Sequence, residues 1–244
     1  MKIALAQLNY QIGNFELNTQ KMIGAIAEAK KQGAQLVVFA ELSVCGYPSL
    51  DFLEFSEYID LCESSARKVA EACQDMACII GLPTKNPNAK GKDLINSAWF
   101  IVNGKIMAQV DKALLPTYDV FDECRYFEPT TAFKCVDFMG HKIALTICED
   151  LWNINDNPLY VACPMDELVK EKPDLMINIA ASPFAYNHDE ERVQVLGDNC
   201  RKYQLPLFYM NHVGAQTEIV FDGGSLVFDQ EGNLLDEMAY FEEE

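Results

Sequence analysis

The chain has 244 residues, half of them hydrophobic, with 37 acidic against 19 basic side chains and a formal net charge of −18. That length suits one large domain with a sizeable core, and the charge argues against nucleic acid or an anionic membrane as partner, since both reward clustered Lys and Arg. Nine cysteines without a C-x-x-C pair, and three histidines far apart, indicate neither a disulfide framework nor a zinc site.

From the first residues, the apolar run Ile3 to Leu8 is too short for a signal-peptide core and reads as a strand. Met22, Ala25, Ile26 and Ala29 recur at three and four, as do Phe55, Ile59, Cys62, Ala66, Val69 and Cys73, which predicts two helices covering a sheet. Strands are expected at Leu36 to Phe39, Cys78 to Gly81 and Ile95 to Val102. Asn103-Gly104 then turns the chain into the run from Ile106 to Val110, because asparagine and glycine tolerate the positive φ of a type I′ turn.

A second hairpin is expected at Met139-Gly140, between Phe133 to Phe138 and Lys142 to Ile147. Beyond it come a helix near Asp166 to Lys170, a strand at Leu175 to Ile179, a helix from Glu190 to Tyr203 and a strand at Leu207 to Met210. Phe221-Asp222-Gly223-Gly224-Ser225 lacks the lysine and following helix of a phosphate loop and reads as a turn between strands. Phe241 to Glu244 reads as a solvated end or the start of a linker. No stretch approaches the roughly twenty apolar residues of a membrane span. The class is α/β, and no composition shift divides residues 1–244, which read as a single domain.

Three of the apolar runs end on reactive side chains: Val37 to Ala40 into Glu41, Ile106 to Val110 into Lys112, and Ile143 to Ile147 into Cys148. In α/β folds the carboxyl ends of buried strands converge on one rim, where ligands bind. A nucleophilic thiol needs a base or a nearby positive charge. Glu41 can serve as the base, and Lys112 can stabilise both a thiolate and the oxyanion of a tetrahedral intermediate. The chemistry implied is acyl transfer from an amide or nitrile through a thioester. Each residue alone has a plainer reading: Cys148 as a small buried hydrophobe, Glu41 and Lys112 as solvated strand-end charges.

The surrounding words lift the trio. Glu41-Leu42-Ser43-Val44-Cys45-Gly46-Tyr47-Pro48, Lys112-Ala113-Leu114-Leu115-Pro116 and Cys148-Glu149-Asp150-Leu151-Trp152 resemble the three signatures of the carbon–nitrogen hydrolase (nitrilase) superfamily. The resemblance implies a four-layer α-β-β-α sandwich, with Glu41 as general base, Lys112 stabilising the tetrahedral intermediate and Cys148 as nucleophile. Further words, Tyr118 to Phe127, Ser182-Pro183 and Phe221 to Ser225, resemble the glutaminase domain of glutamine-dependent NAD synthetases.

That resemblance implies more of the pocket. Glu123 is expected to orient the lysine and the substrate, Tyr118 and Trp152 to form aromatic walls, Glu149 to meet a substrate ammonium, and Ser182 to lie at the substrate. Where relatives carry Lys or Arg six residues after that serine, this chain has His188. Arg192, one helical turn on, or a protonated His188 is expected to supply the lost charge for a substrate carboxylate, with Arg192 favoured because its charge does not depend on pH; Arg192 pairing with Glu190 or Glu191 is the plainer alternative. No metal and no cofactor are expected for the glutaminase step. ATP and Mg would belong to the synthetase domain, whose S-G-G-x-D-S word is absent here. The expected partners are glutamine and an NAD synthetase domain downstream or in trans, in a cytoplasmic homo-oligomer. A stand-alone amidase acting on another small amide, and a non-catalytic oligomerisation or regulatory module, are the alternatives.

Overall fold

The structure, a computed structural model, describes residues 1–88, 90–154 and 160–244. One sheet holds β1 (Ile3–Leu5), β2 (Leu36–Val38), β3 (Ala77–Lys85), β4 (Leu94–Val102) and β5 (Lys105–Asp111) in that spatial order. The first three strands run parallel, and the last two return as an antiparallel meander. The parallel part needs crossovers. These are α1 (Phe15–Lys31) and, between β2 and β3, α2 (Ser56–Ala72).

The second sheet begins with β6 (Val136–Phe138) and β7 (His141–Ile147) and continues, past α3 (Glu123–Tyr126) on the approach and α4 (Pro164–Leu168) after β7, with β8 (Leu175–Ile179). α5 (His188–Tyr203) leads to β9 (Leu207–Met210), and β10 (Val213–Gln216) and β11 (Ile219–Asp222) form a separate antiparallel ribbon. β12 (Leu226–Phe228) and β13 (Leu234–Glu237) complete the sheet in the order β13-β12-β9-β8-β7-β6, with β7, β8 and β9 parallel.

Both faces of β2, β3 and β4 are buried, so these strands are mostly apolar without alternation, whereas the edge strand β5 is largely exposed. Val37, Ile80 and Ile101 point to a cluster with Met22 and Ile26 of α1 and Ile59 and Val69 of α2. Leu36, Val38, Ile79 and Phe100 point the other way, into a cluster shared with β7, β8 and β9 and with Leu196 and Cys200 of α5. The order of layers is therefore helices, sheet, sheet, helices, the four-layer α-β-β-α sandwich that the signature words imply. α1 has matching ends: Asn14 accepts from the Leu17 N–H at 3.3 Å, Glu16 sits in the first turn, and Lys30 and Lys31 sit in the last.

Both hairpins form as expected, with φ of +50° and +75° at Asn103 and Gly104, and +50° and +78° at Met139 and Gly140. β1 stops short of Leu8 because Gln7 turns to other partners. Its backbone exchanges hydrogen bonds with Glu244 at 2.8 and 3.0 Å, and its side chain bonds Ala239, Glu242 and Ser225. Phe241 to Glu244 are thus held through their backbone, while their side chains are exposed, as expected of a solvated segment. The strand expected from Phe133 begins only at Val136. Among the described residues no helix is long and apolar enough to cross a membrane, and no cluster of three or more His, Cys, Asp or Glu is arranged to hold a metal ion.

Candidate active site

Glu41 lies just past β2, Lys112 directly after β5 and Cys148 directly after β7, so the three strand ends do meet. Local backbone explains how each is presented. Behind Glu41 the chain coils tightly through Leu42, at φ +47°, and presses on β3 at Gly81, where a Cβ would come within 2.3 Å of the Leu42 nitrogen. Only glycine fits that crossing. Lys112 is anchored by its N–H on the Asn96 carbonyl at 2.9 Å.

Cys148 adopts φ +44°, a left-handed conformation that costs a non-glycine residue free energy and that clusters at functional sites. A single 3-10 turn, Cys148–Leu151, follows. Asp150 closes this corner, taking the Ile147 N–H at 3.0 Å with one oxygen and the Ala113 and Leu114 N–H groups at 3.0 and 2.9 Å with the other.

The ammonium of Lys112 sits between two carboxylates, 2.7 Å from Glu41 Oε1 and 2.7 and 2.9 Å from the two oxygens of Glu123. All three side chains are buried. Asn96 Nδ2 donates to Glu41 at 2.7 Å and reaches Glu123 at 3.5 Å, the Ala181 N–H donates to Glu41 Oε2 at 3.0 Å, and the Tyr47 hydroxyl donates to Glu123 at 2.9 Å. His212 Nε2 lies 2.7 Å from the Glu41 carbonyl, and burial pushes its ring down to about 4, so it donates as a neutral imidazole.

Burial opposes the charge on Lys112, but Glu123 and Glu41 overcome it and hold the ammonium well above its ordinary range. Burial pushes Glu123 up to about 7, with Lys112 pulling it down and Glu41 pushing it up. The Cys148 thiol is raised well above its usual value by burial and then by Glu41, with Lys112 acting the other way. At rest it is a thiol, and an attacking sulfur must lose its proton in step with bond formation.

Cys148 opens onto a cavity of about 380 Å³ whose wall includes Tyr118, Glu149, Trp152, Ser182 and His188. Glu149 is held by the Tyr118 hydroxyl at 2.9 and 3.0 Å and by the Tyr160 hydroxyl at 2.8 Å. Trp152 stacks on the His188 ring at 5.1 Å and 2°. Every expected site residue but one is therefore either in the wall or in the buried array behind it. Arg192 is the exception. It is 1% exposed and points away, to Asp222 at 3.0 Å from both carboxylate oxygens and to the Gly223 carbonyl at 3.1 Å. It pairs with neither Glu190 nor Glu191 and adds no charge to the cavity.

Sequence reasoning missed Asn96, Asp150, Tyr160, Asn178 and His212. Asn178 Nδ2 bonds the Cys148 carbonyl at 3.4 Å and Thr146 at 2.9 Å. Asp150 alone carried a signal, as the third residue of the word that begins at Cys148.

Residues 2–244 match the family described as carbon-nitrogen hydrolase. A glutamine-dependent NAD(+) synthetase of Synechocystis sp. is 34% identical over 99% of this chain and 45% of its own length. The glutamine-dependent NAD+ synthetase of Acinetobacter baumannii, solved with ADP, superposes with a TM-score of 0.90 at 33% identity, covering 99% of this chain and 44% of that one. An amidase from Nesterenkonia sp., at 23% identity, shares the fold with a TM-score of 0.84 over 100% of this chain and 88% of its own. This chain spans less than half the length of the synthetases it matches. Strand-end chemistry, layer order and the match along nearly every residue agree that the chain belongs to the carbon–nitrogen hydrolase family.

Proposed function

We propose that this chain is a glutaminase, which hydrolyses the side-chain amide of glutamine through a thioester on Cys148 and supplies ammonia to an NAD synthetase domain, downstream or in trans. The observation that carries this reading is the buried Glu41–Lys112–Glu123 array behind a left-handed Cys148 at the floor of a cavity. The likeness of the whole chain to glutamine-dependent synthetases supports the choice of substrate.

In this reading Glu41 takes the thiol proton as sulfur bonds to the amide carbon, and the carbonyl electron pair moves to oxygen. Lys112 stabilises that oxyanion. Collapse breaks the carbon–nitrogen bond, Glu41 returns the proton to nitrogen, and ammonia leaves. Water then gives a proton to Glu41, attacks the thioester and expels the sulfur, which is reprotonated as glutamate departs. Glu123, Asn96 and Tyr47 orient the lysine and the base. Glu149, steadied by Tyr118 and Tyr160, receives the substrate ammonium. The hydrolytic step draws on no cofactor, and ATP and Mg belong to the synthetase half.

Glutamate release from glutamine by the purified chain tests the reading. Cys148→Ala is expected to abolish it, Glu41→Gln and Lys112→Met to lower kcat by at least roughly two orders of magnitude with a smaller change in KM. A glutamine-like electrophile should label Cys148 alone. Labelling of a different cysteine, with turnover retained in Cys148→Ala, overturns the assignment.

A further inference from the structure

Glutamine arrives as a zwitterion, and the charges of the cavity favour only one of its two ends. The wall carries three acidic side chains, Asp119, Glu149 and Glu191, and among the described residues that line it there is no lysine or arginine. Lys112 is fully buried between two carboxylates, and Arg192 is turned away to Asp222. We infer that the same site hydrolyses a second class of substrate, short primary amides that end in an ammonium and carry no carboxylate. The simplest of these that matches glutamine in length is 4-aminobutanamide, which is glutamine with hydrogen in place of its carboxylate. This activity shares the Cys148 chemistry of the glutaminase reading and goes beyond its substrate.

The acids stand at two depths. Glu149 is buried beside the nucleophile, where the Tyr118 and Tyr160 hydroxyls donate to it. Burial raises its carboxyl above the ordinary value, but Tyr160, Lys112 and Tyr118 all favour the anion. Asp119 and Glu191 are exposed parts of the wall, so an incoming cation meets them before it reaches Glu149. The histidine of the wall does not offset these charges. Burial and then Arg192 hold His188 below its ordinary 6.5, so near neutral pH and above it the imidazole is uncharged, with Nδ1 turned to Glu191 Oε2 at 3.4 Å. A carboxylate brought here meets three like charges and no fixed cation. An ammonium alone meets only attraction.

The bond changes are those of the glutamine reaction. Cys148 Sγ bonds to the amide carbon, the carbon–nitrogen bond breaks, and ammonia leaves with the thiol proton. Water then cleaves the thioester, which gives 4-aminobutanoate and returns the thiol. The far ammonium takes no part in these steps and acts through binding, so its loss should appear in KM more than in kcat.

The test measures ammonia release by the purified chain from 4-aminobutanamide, glutamine and the uncharged butanamide, at pH about 8, where the imidazole is neutral and the substrate ammonium keeps its proton. kcat/KM for 4-aminobutanamide should be at least equal to that for glutamine and about tenfold above that for butanamide. Asp119→Asn and Glu191→Gln should each lower the preference for 4-aminobutanamide over butanamide by about two- to fivefold, and added salt should shrink it. A preference of about tenfold or more for glutamine over 4-aminobutanamide overturns the inference and leaves the glutaminase reading standing. Equal use of 4-aminobutanamide and butanamide overturns it as well, since the acids then select nothing. Turnover of 4-aminobutanamide without turnover of glutamine supports the inference and removes the glutaminase reading. Hydrolysis of none of the three removes both.

Discussion

The carboxylate of Asp150 lies 2.9 Å from the backbone nitrogen of Leu114, and so ties the corner that presents Cys148 to the segment that presents Lys112. The same oxygen takes the Ala113 N–H, and the other takes the Ile147 N–H. Nucleophile and ammonium come from different sheets, and this one side chain sets the spacing between their backbones. Burial pushes Asp150 up to about 6 while the three N–H groups pull it down, so near neutral pH it is the anion that accepts all three.

Asp150→Ala leaves those donors without their partner. With a cost of about 1–3 kcal/mol for each buried group, a loss of about 3 kcal/mol of stability is expected. kcat should drop more than KM changes, because the spacing matters most in the transition state. Asp150→Asn keeps one acceptor oxygen and should fall between. Urea unfolding and steady-state kinetics check this, and an alanine variant with wild-type midpoint and kcat would show that the two segments hold their places unaided.

Arg192 makes a different kind of claim. Its ion pair with Asp222 is almost wholly buried, so removing one partner strands the other. Arg192→Ala should cost about 3–5 kcal/mol, and pairing Arg192→Met with Asp222→Leu should recover much of that. The relative use of glutamine and 4-aminobutanamide should stay as in the wild type. An Arg192→Ala protein with an unchanged urea midpoint and a selective loss of glutamine use would return the guanidinium to the substrate.

His188 and Arg192 also show what the sequence could and could not disclose. Both begin α5 and lie one turn apart, so helical spacing places them on one face, but it says nothing of depth. At the first residue of the helix His188 reaches the cavity, whereas Arg192, a turn deeper, meets the end of β11. The ends of β2, β5 and β7 were legible because each apolar run stops at a polar residue. Asn96 was not. It sits in the middle of β4, a strand otherwise dominated by apolar residues, and its partners Glu41 and Glu123 are distant in sequence. Asn178 inside β8 was hidden in the same way, and so was His212 in the short buried link between β9 and β10, since a buried polar residue reveals its role only through the residues it faces. All five missed groups act on a segment other than their own, which local pattern does not encode.

The last prediction concerns the two carboxylates that share one ammonium. Glu123 is pushed from 4.5 up to about 7 chiefly by burial, against the pull of Lys112 and with the push of Glu41. Between those values the folded protein holds a proton that the unfolded chain has released. The stability this brings is fully present below about pH 4.5 and is lost as pH rises through about 7. The measurement is the urea midpoint at steps from pH 5 to 8. Glu123→Gln has no proton to lose, so its midpoint should decline less steeply than that of the wild type, and the two curves should become parallel above about pH 8. The acidity of the chain adds its own decline through self-repulsion, but nearly equally to both proteins, since one charge in many differs between them. Curves that run parallel across the whole range would mean that Glu123 is ionised in the folded state throughout, and that Lys112 holds two full negative charges at rest.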